Sequence, residues 1–122
     1  MSTSDSVSTK PGLGLARKLT FIGTVKSESA TDLHLFVNGA EIGLDQDGDT
    51  FSGKKAIDAG ANVSIDFKIK GFNGTEWSME VDIDCPENPA KVIAKSGKIG
   101  SPGGNGFETS VQIPDDPCAG GK

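Results

Sequence analysis

From Val63 to Lys70 apolar and polar residues alternate without a break: Val63, Ile65, Phe67 and Ile69 are separated by Ser64, Asp66 and Lys68. A β-strand sends alternate side chains to opposite faces, so this pattern gives one dry face and one wet face. An α-helix would spread the same residues around its circumference. The pattern recurs. Trp77, Met79, Val81 and Ile83 alternate with Ser78, Glu80 and Asp82; Leu19, Phe21 and Val25 alternate with Thr20, Ile22, Thr24 and Lys26; Leu33, Leu35 and Val37 alternate with His34 and Phe36. Shorter runs follow at Val92-Ile93-Ala94 and through Phe107, Val111 and Ile113. With Gly, Asn and Asp at the corners, about seven or eight short strands of this kind predict an antiparallel sandwich or small barrel.

Composition agrees. The 17 glycines and an apolar share of 34% disfavour helix and suit one modest core with many turns. A chain of 122 residues is the size of a single domain. The net charge of −5 argues against nucleic acid and anionic membrane surfaces as partners, since both repel an acidic protein. No apolar run approaches the roughly 20 residues that span a bilayer, and the first residues lack the apolar core of a signal peptide. The expected location is therefore the cytoplasm or a virion, or the extracellular space where a leader has been removed. Residues 1–17 and 114–122 are rich in Ser, Thr, Gly and Pro and read as flexible arms flanking a domain at 18–113.

Turn chemistry gives two registers. Treating Asp47-Gly48 as a two-residue hairpin loop sets Leu44 opposite Phe51. A three-residue loop at Phe72-Asn73-Gly74 sets Ile69 opposite Trp77, Phe67 opposite Met79 and Ile65 opposite Val81. This predicts that 63–70 and 76–83 are neighbours in one sheet. The carboxylates Asp45, Asp47 and Asp49 beside Gly48 suggest a calcium loop. An EF-hand, however, needs glycine sixth and glutamate twelfth, and Thr50 and Ala56 stand there. A plain turn is the simpler reading; a weak cation site is the other.

The stretch from Leu33 to Ile83 resembles bacterial and phage immunoglobulin-like modules. Val37-Asn38-Gly39, Ile42, Asp45, Gly48, Phe51, Gly60, Asn62, Val63 and Ile65 fall on that pattern. The resemblance implies an all-β, immunoglobulin-like antiparallel β-sandwich, to which composition adds the flexible N- and C-terminal arms. It ends at Ile83, because the segment 91–107 follows no version of the pattern.

No catalytic residue, cofactor site or metal site is assigned. His34 is the single histidine and points away from Leu33 and Leu35, toward solvent. No Ser-His-Asp or Cys-His pair can be drawn, and the carboxylates sit on wet faces. Trp77 is in phase with Met79 and Val81, which makes it core; a sugar-stacking platform is the alternative. Ile22 and Phe36 lie out of phase with their strands' inward residues, and Phe72 falls on a loop tip; these three are the candidate interface residues. Cys85 and Cys118 either form an intrachain disulfide, worth roughly 3–4 kcal/mol by loop closure, or remain separate thiols, or bridge to other chains.

The function expected is a non-enzymatic structural module that docks onto a larger assembly. The resemblance points to a phage virion protein, capsid-decorating or tail-associated, with its arms lying along a neighbour's strand edge. A carbohydrate-binding or cell-surface adhesion module is the second reading. A small protein inhibitor using loops 71–75 and 100–106 as a wedge is the third. The partner expected is thus a protein, as homo- or hetero-oligomer, with carbohydrate as the alternative ligand.

Overall fold

The computed structural model describes residues 17–102, 104–114 and 117–118. They form β1 (Arg17–Ser27), β2 (Asp32–Val37), β3 (Ala40–Glu41), β4 (Asp45–Asp47), β5 (Thr50–Ala59), β6 (Asn62–Lys70), β7 (Glu76–Ile83), β8 (Ala90–Lys98) and β9 (Gly106–Gln112). All pairings are antiparallel. One sheet runs β4-β5-β1-β7-β8 and the other β3-β2-β6-β9. They face each other as a sandwich.

The alternation does what the sequence requires of it. Phe21 and Val25 of β1, Leu35 and Val37 of β2, and the odd-numbered residues 63–69 and 77–83 are all buried. Their even-numbered neighbours meet solvent to varying degrees. The rings of Phe67 and Trp77 approach to 5.0 Å at 54°, β6 touching β7 from one layer to the other. Each large apolar side chain removed from water in this layer contributes about 1.5–3 kcal/mol.

β6 and β7 are not neighbours in one sheet, as a hairpin at 72–74 would make them. β6 pairs with β2 and β9, and β7 pairs with β1 and β8. The predicted partners, Ile69 with Trp77 and Phe67 with Met79, therefore lie in opposing layers, where it is Phe67 that meets Trp77. A dry strand face is satisfied equally by a neighbour in the same sheet or by the opposing layer, and period two does not distinguish them. Longer-range pairing decides. Leu33, Leu35 and Val37 lie opposite Ile69, Phe67 and Ile65, while Phe21 and Val25 lie opposite Ile83 and Met79.

The hairpin at Gly48 is also shifted by one residue. Asp47 pairs with Thr50 and Gln46 with Phe51, so the loop is Gly48-Asp49. Gly48 has φ +64 and Asp49 has no positive φ, the glycine-first arrangement of a II′ turn. Phe51 takes its in-sheet apolar partner from Val25 of β1, not from Leu44. The same class of signal at Asn38-Gly39, with φ +51 and +79, closes β2 onto β3 in the I′ manner. Asn38 then ties the layers together, donating from Nδ2 to the Asp58 carbonyl (3.1 Å) and accepting at Oδ1 from the Ser64 amide (2.9 Å).

β5 is the longest element that alternation alone does not announce. Only Phe51, Ile57 and Ala59 among its ten residues are buried, and its middle is polar. Cys85 and Cys118 form a disulfide with Cα atoms 5.4 Å apart, closing a loop of 33 positions. Cys85 follows β7 and Cys118 follows β9, so the bond clasps the two sheets together. It also fixes one point of the segment 114–122 that composition reads as loose. Arg17 belongs to β1; the rest of the N-terminal arm lies outside the described residues.

Candidate functional site

Four connections meet at one end of the sandwich: 28–31, the turn 48–49, 71–75, and the described residues 99–102 and 104–105. Hydrogen bonds link them. The Ser27 amide donates to the Asp49 carbonyl (3.0 Å), the Gly74 amide to Ile99 (2.7 Å) and the Ile99 amide to Thr75 (2.9 Å). Ser29 Oγ accepts from the Phe72 amide (3.0 Å) and donates to Thr75 Oγ1 (2.8 Å). Asn105 Oδ1 accepts from the Gly100 amide (2.8 Å). Beneath them the Trp77 indole donates to the Gly104 carbonyl at 2.7 Å.

This bracing presents Phe72. Its side chain is 73% exposed, and among the described residues it is the single large apolar side chain left in water. Its backbone is held from both sides, the amide donating to Ser29 Oγ and the carbonyl accepting from the Thr75 amide. A groove of about 980 Å³ borders the same loop at Gly74 and Thr75 and is lined also by Lys26, Glu28, Asp49, Trp77 and Lys98. The groove is broad, with both signs of charge at its rim.

The other two candidate interface residues do not join Phe72. Ile22 lies on the outer face of the five-stranded sheet, opposite Lys54 and Asp82. Phe36 lies on the outer face of the other sheet, opposite Glu41 and Asp66 and 6.2 Å from the His34 ring. The two residues are on opposite sides of the molecule and form no common patch. Trp77 is 4% exposed and belongs to the core. Asp45, Asp47 and Asp49 are exposed around their turn, and no group of three or more His, Cys, Asp or Glu among the described residues is disposed to hold a metal ion.

Two titratable clusters lie on the sheet faces. His34 sits between carboxylates that sequence reasoning did not place: Nδ1 is 2.6 Å from Glu41 Oε2 and Nε2 is 3.2 Å from Asp32 Oδ1. Asp32 is two residues away on β2, but Glu41 arrives only through the Asn38-Gly39 hairpin, whose sequence signal was present. Only the imidazolium can donate from both nitrogens, so the hydrogen bond to Glu41, then the charge of Asp32, raise the His34 pKa above the ordinary 6.5. A raised folded pKa means stability fully present below the unfolded value and lost as pH rises through the folded one. A histidine NMR titration is expected to place His34 above 6.5, and Glu41→Gln to return it toward that value. The stability difference between the two proteins should vanish on the alkaline side. On the opposite sheet, partial burial and then Glu80 push the Asp82 carboxyl up to about 6, against the opposing pull of Lys91. This pair lies on an outer strand face, where Glu80 also borders a shallow hollow of about 360 Å³ shared with Thr24, Ser78 and Ser96.

The hydrogen-bonded loop cluster thus carries one exposed aromatic ring, and the two titratable clusters lie on opposite sheets. Comparison of the chain with models of protein families, with curated proteins and with solved structures finds no match.

Proposed function

We propose that this chain is a non-enzymatic structural module that docks onto a larger protein assembly through the loop end bearing Phe72. The carrying observation is the exposure of that ring on a backbone braced by Ser29, Thr75 and Ile99. Aromatic anchors that become buried in a partner's pocket carry much of the energy of protein contacts.

Strand order supports the immunoglobulin-like part of the reading. The sheet β3-β2-β6-β9 follows the order C′-C-F-G, and β4-β5-β1 follows D-E-B, with β7 in the place of A and β8 added outside it. Phe72 then sits at the end where B–C and F–G connections lie, the end that variable domains use for binding. This is fold analogy and carries no partner identity by itself. The Cys85–Cys118 disulfide favours surroundings outside a reducing cytosol. Together with the resemblance of residues 33–83, these points favour a virion surface protein, decorating a capsid or attached to a tail.

The test is pairwise calorimetry of the purified chain against the products of the genes adjacent to its own. Phe72→Ser is expected to weaken the productive pair by about 30-fold or more, the worth of a hot-spot aromatic, with an unchanged thermal midpoint. A chain that ignores those proteins and binds a glycan array instead overturns the reading.

A further inference from the structure

Two sheets have four edges, and three of them are guarded. β3 is two residues long. β4 is three residues long and carries Asp45 and Asp47. β8 is longer but displays Lys91, Lys95 and Lys98, all exposed, and its register with β7 shifts between Val81 and Asp82. Lys95 even occupies a position opposite buried Met79, its Nζ 6.0 Å from the Phe107 ring. Short length, lysines, inward charges and bulges are the devices that stop an edge from adding another strand.

β9 has none of them. It runs seven residues, Gly106 to Gln112, pairs with β6 in unbroken register, and has Glu108 as its single charge. Among the described residues nothing pairs with its other side. The ladder fixes which backbone groups are free. The Ile69 amide donates to the Asn105 carbonyl and the Ile113 amide to Ala61, so odd-numbered β9 residues bond toward β6. The N–H and C=O groups of Glu108, Ser110 and Gln112 point outward.

We propose that β9 is a homodimer edge, pairing antiparallel with β9 of a second copy about a two-fold axis through Thr109. The inference rests on the assembly reading for its purpose but uses a different surface. The sequence Gly-Phe-Glu-Thr-Ser-Val-Gln is self-complementary in this register. Glu108 faces Ser110 of the second copy, and the two exchange backbone hydrogen bonds. Repeated by symmetry, that makes about four such bonds at the centre. On the inner face Phe107 meets Val111 of the second copy and Thr109 meets its own equivalent, both favourable cross-strand pairs. No like charges stand directly opposite, and the two Glu108 side chains are diagonal neighbours, about 7–8 Å apart. The lysines of β8 keep the five-stranded sheets from fusing as well, so the dimer is joined through one sheet.

Sedimentation of the full chain over a concentration series tests this. The mass is expected to rise toward twice the monomer, and Glu108→Gln to tighten the association by removing the diagonal repulsion. Ser110→Pro removes an outward donor without touching the β6 ladder. It should weaken association by about tenfold or more, with an unchanged thermal midpoint at dilutions where both proteins are monomeric. Register is read independently by cross-linking. Thr109→Cys should give a disulfide-linked dimer on a non-reducing gel, and Ser110→Cys should not. A chain that stays monomeric throughout overturns the proposal, as does a dimer insensitive to Ser110→Pro, or cross-linking by Ser110→Cys but not Thr109→Cys. Deletion of residues 2–16 that turns a monomer into a dimer also overturns it, because it gives the edge to the chain's own N-terminal arm. Phe72→Ser should leave the dimer intact. A β9 dimer that binds no neighbouring gene product sinks the docking function while this pairing stands.

Discussion

Trp77→Ala is expected to lower the stability of the sandwich by about 3–5 kcal/mol, the usual range for emptying a buried tryptophan site. Three contacts are lost together. The indole packs at 5.0 Å on Phe67 of the opposite sheet, crosses the backbone of Gly97 on β8, and donates to the Gly104 carbonyl at 2.7 Å. A Cβ on Gly97 would sit 2.9 Å from the indole ring, so this stretch of β8 has no side chain to refill the hole. Trp77→Phe separates the terms. It keeps most of the apolar contact but strands the Gly104 carbonyl, and should cost only about 1–3 kcal/mol. Chemical denaturation followed by circular dichroism reads both, since the mutations remove the chain's one tryptophan fluorophore. A loss under about 1 kcal/mol for the alanine variant, within the scatter of surface substitutions, would mean the ring is in water and the core is built otherwise.

Reduction of Cys85–Cys118 should have an effect of the same order. A closed loop of 33 positions restricts the unfolded chain, and loop-closure entropy sets the loss on opening it at about 3–4 kcal/mol. For a domain near this size that is a fall in the thermal midpoint of about 10–20 °C. Cys85→Ala with Cys118→Ala should match the reduced wild type. Equal midpoints for oxidised and reduced protein would remove the bond from any stabilising role. The closed loop contains both β8 and β9, so reduction should loosen these edge strands before the centre of either sheet, a loss that amide hydrogen exchange would resolve by residue.

How much of this was legible follows from the range of each signal. The dry and wet faces of β1, β2, β6 and β7 are local properties, and alternation placed Phe21, Leu35, Phe67 and Trp77 inside correctly. Which sheet a strand joins is not local. Nothing between Gly71 and Thr75 says whether the chain turns back beside itself or crosses to the other layer; Ser29, Ile99 and Asn105, all distant in sequence, decide it. The one-residue shift at Gly48 has a similar origin: the partner that Phe51 takes is Val25 of β1, distant in sequence, and not Leu44. Of the contact residues, Phe72 was readable as a loop tip, but its bracing was not. Ile22 and Phe36 were rightly read as out of phase with the core, and their separation required the sheet assignment. The free edge of β9 left no mark at all, since an edge is defined by the strand that is missing from it.

The placement of the disulfide also decides how the molecule would bear tension. A pull applied to the chain before Arg17 and beyond Cys118 passes from Cys85 directly to Cys118 through the sulfur bridge. β8 and β9 lie in the covalent loop that the bridge bypasses, and feel the pull only through their ladders to β7 and β6. About 110 Å of contour is thereby withheld from stretching until the bridge is reduced.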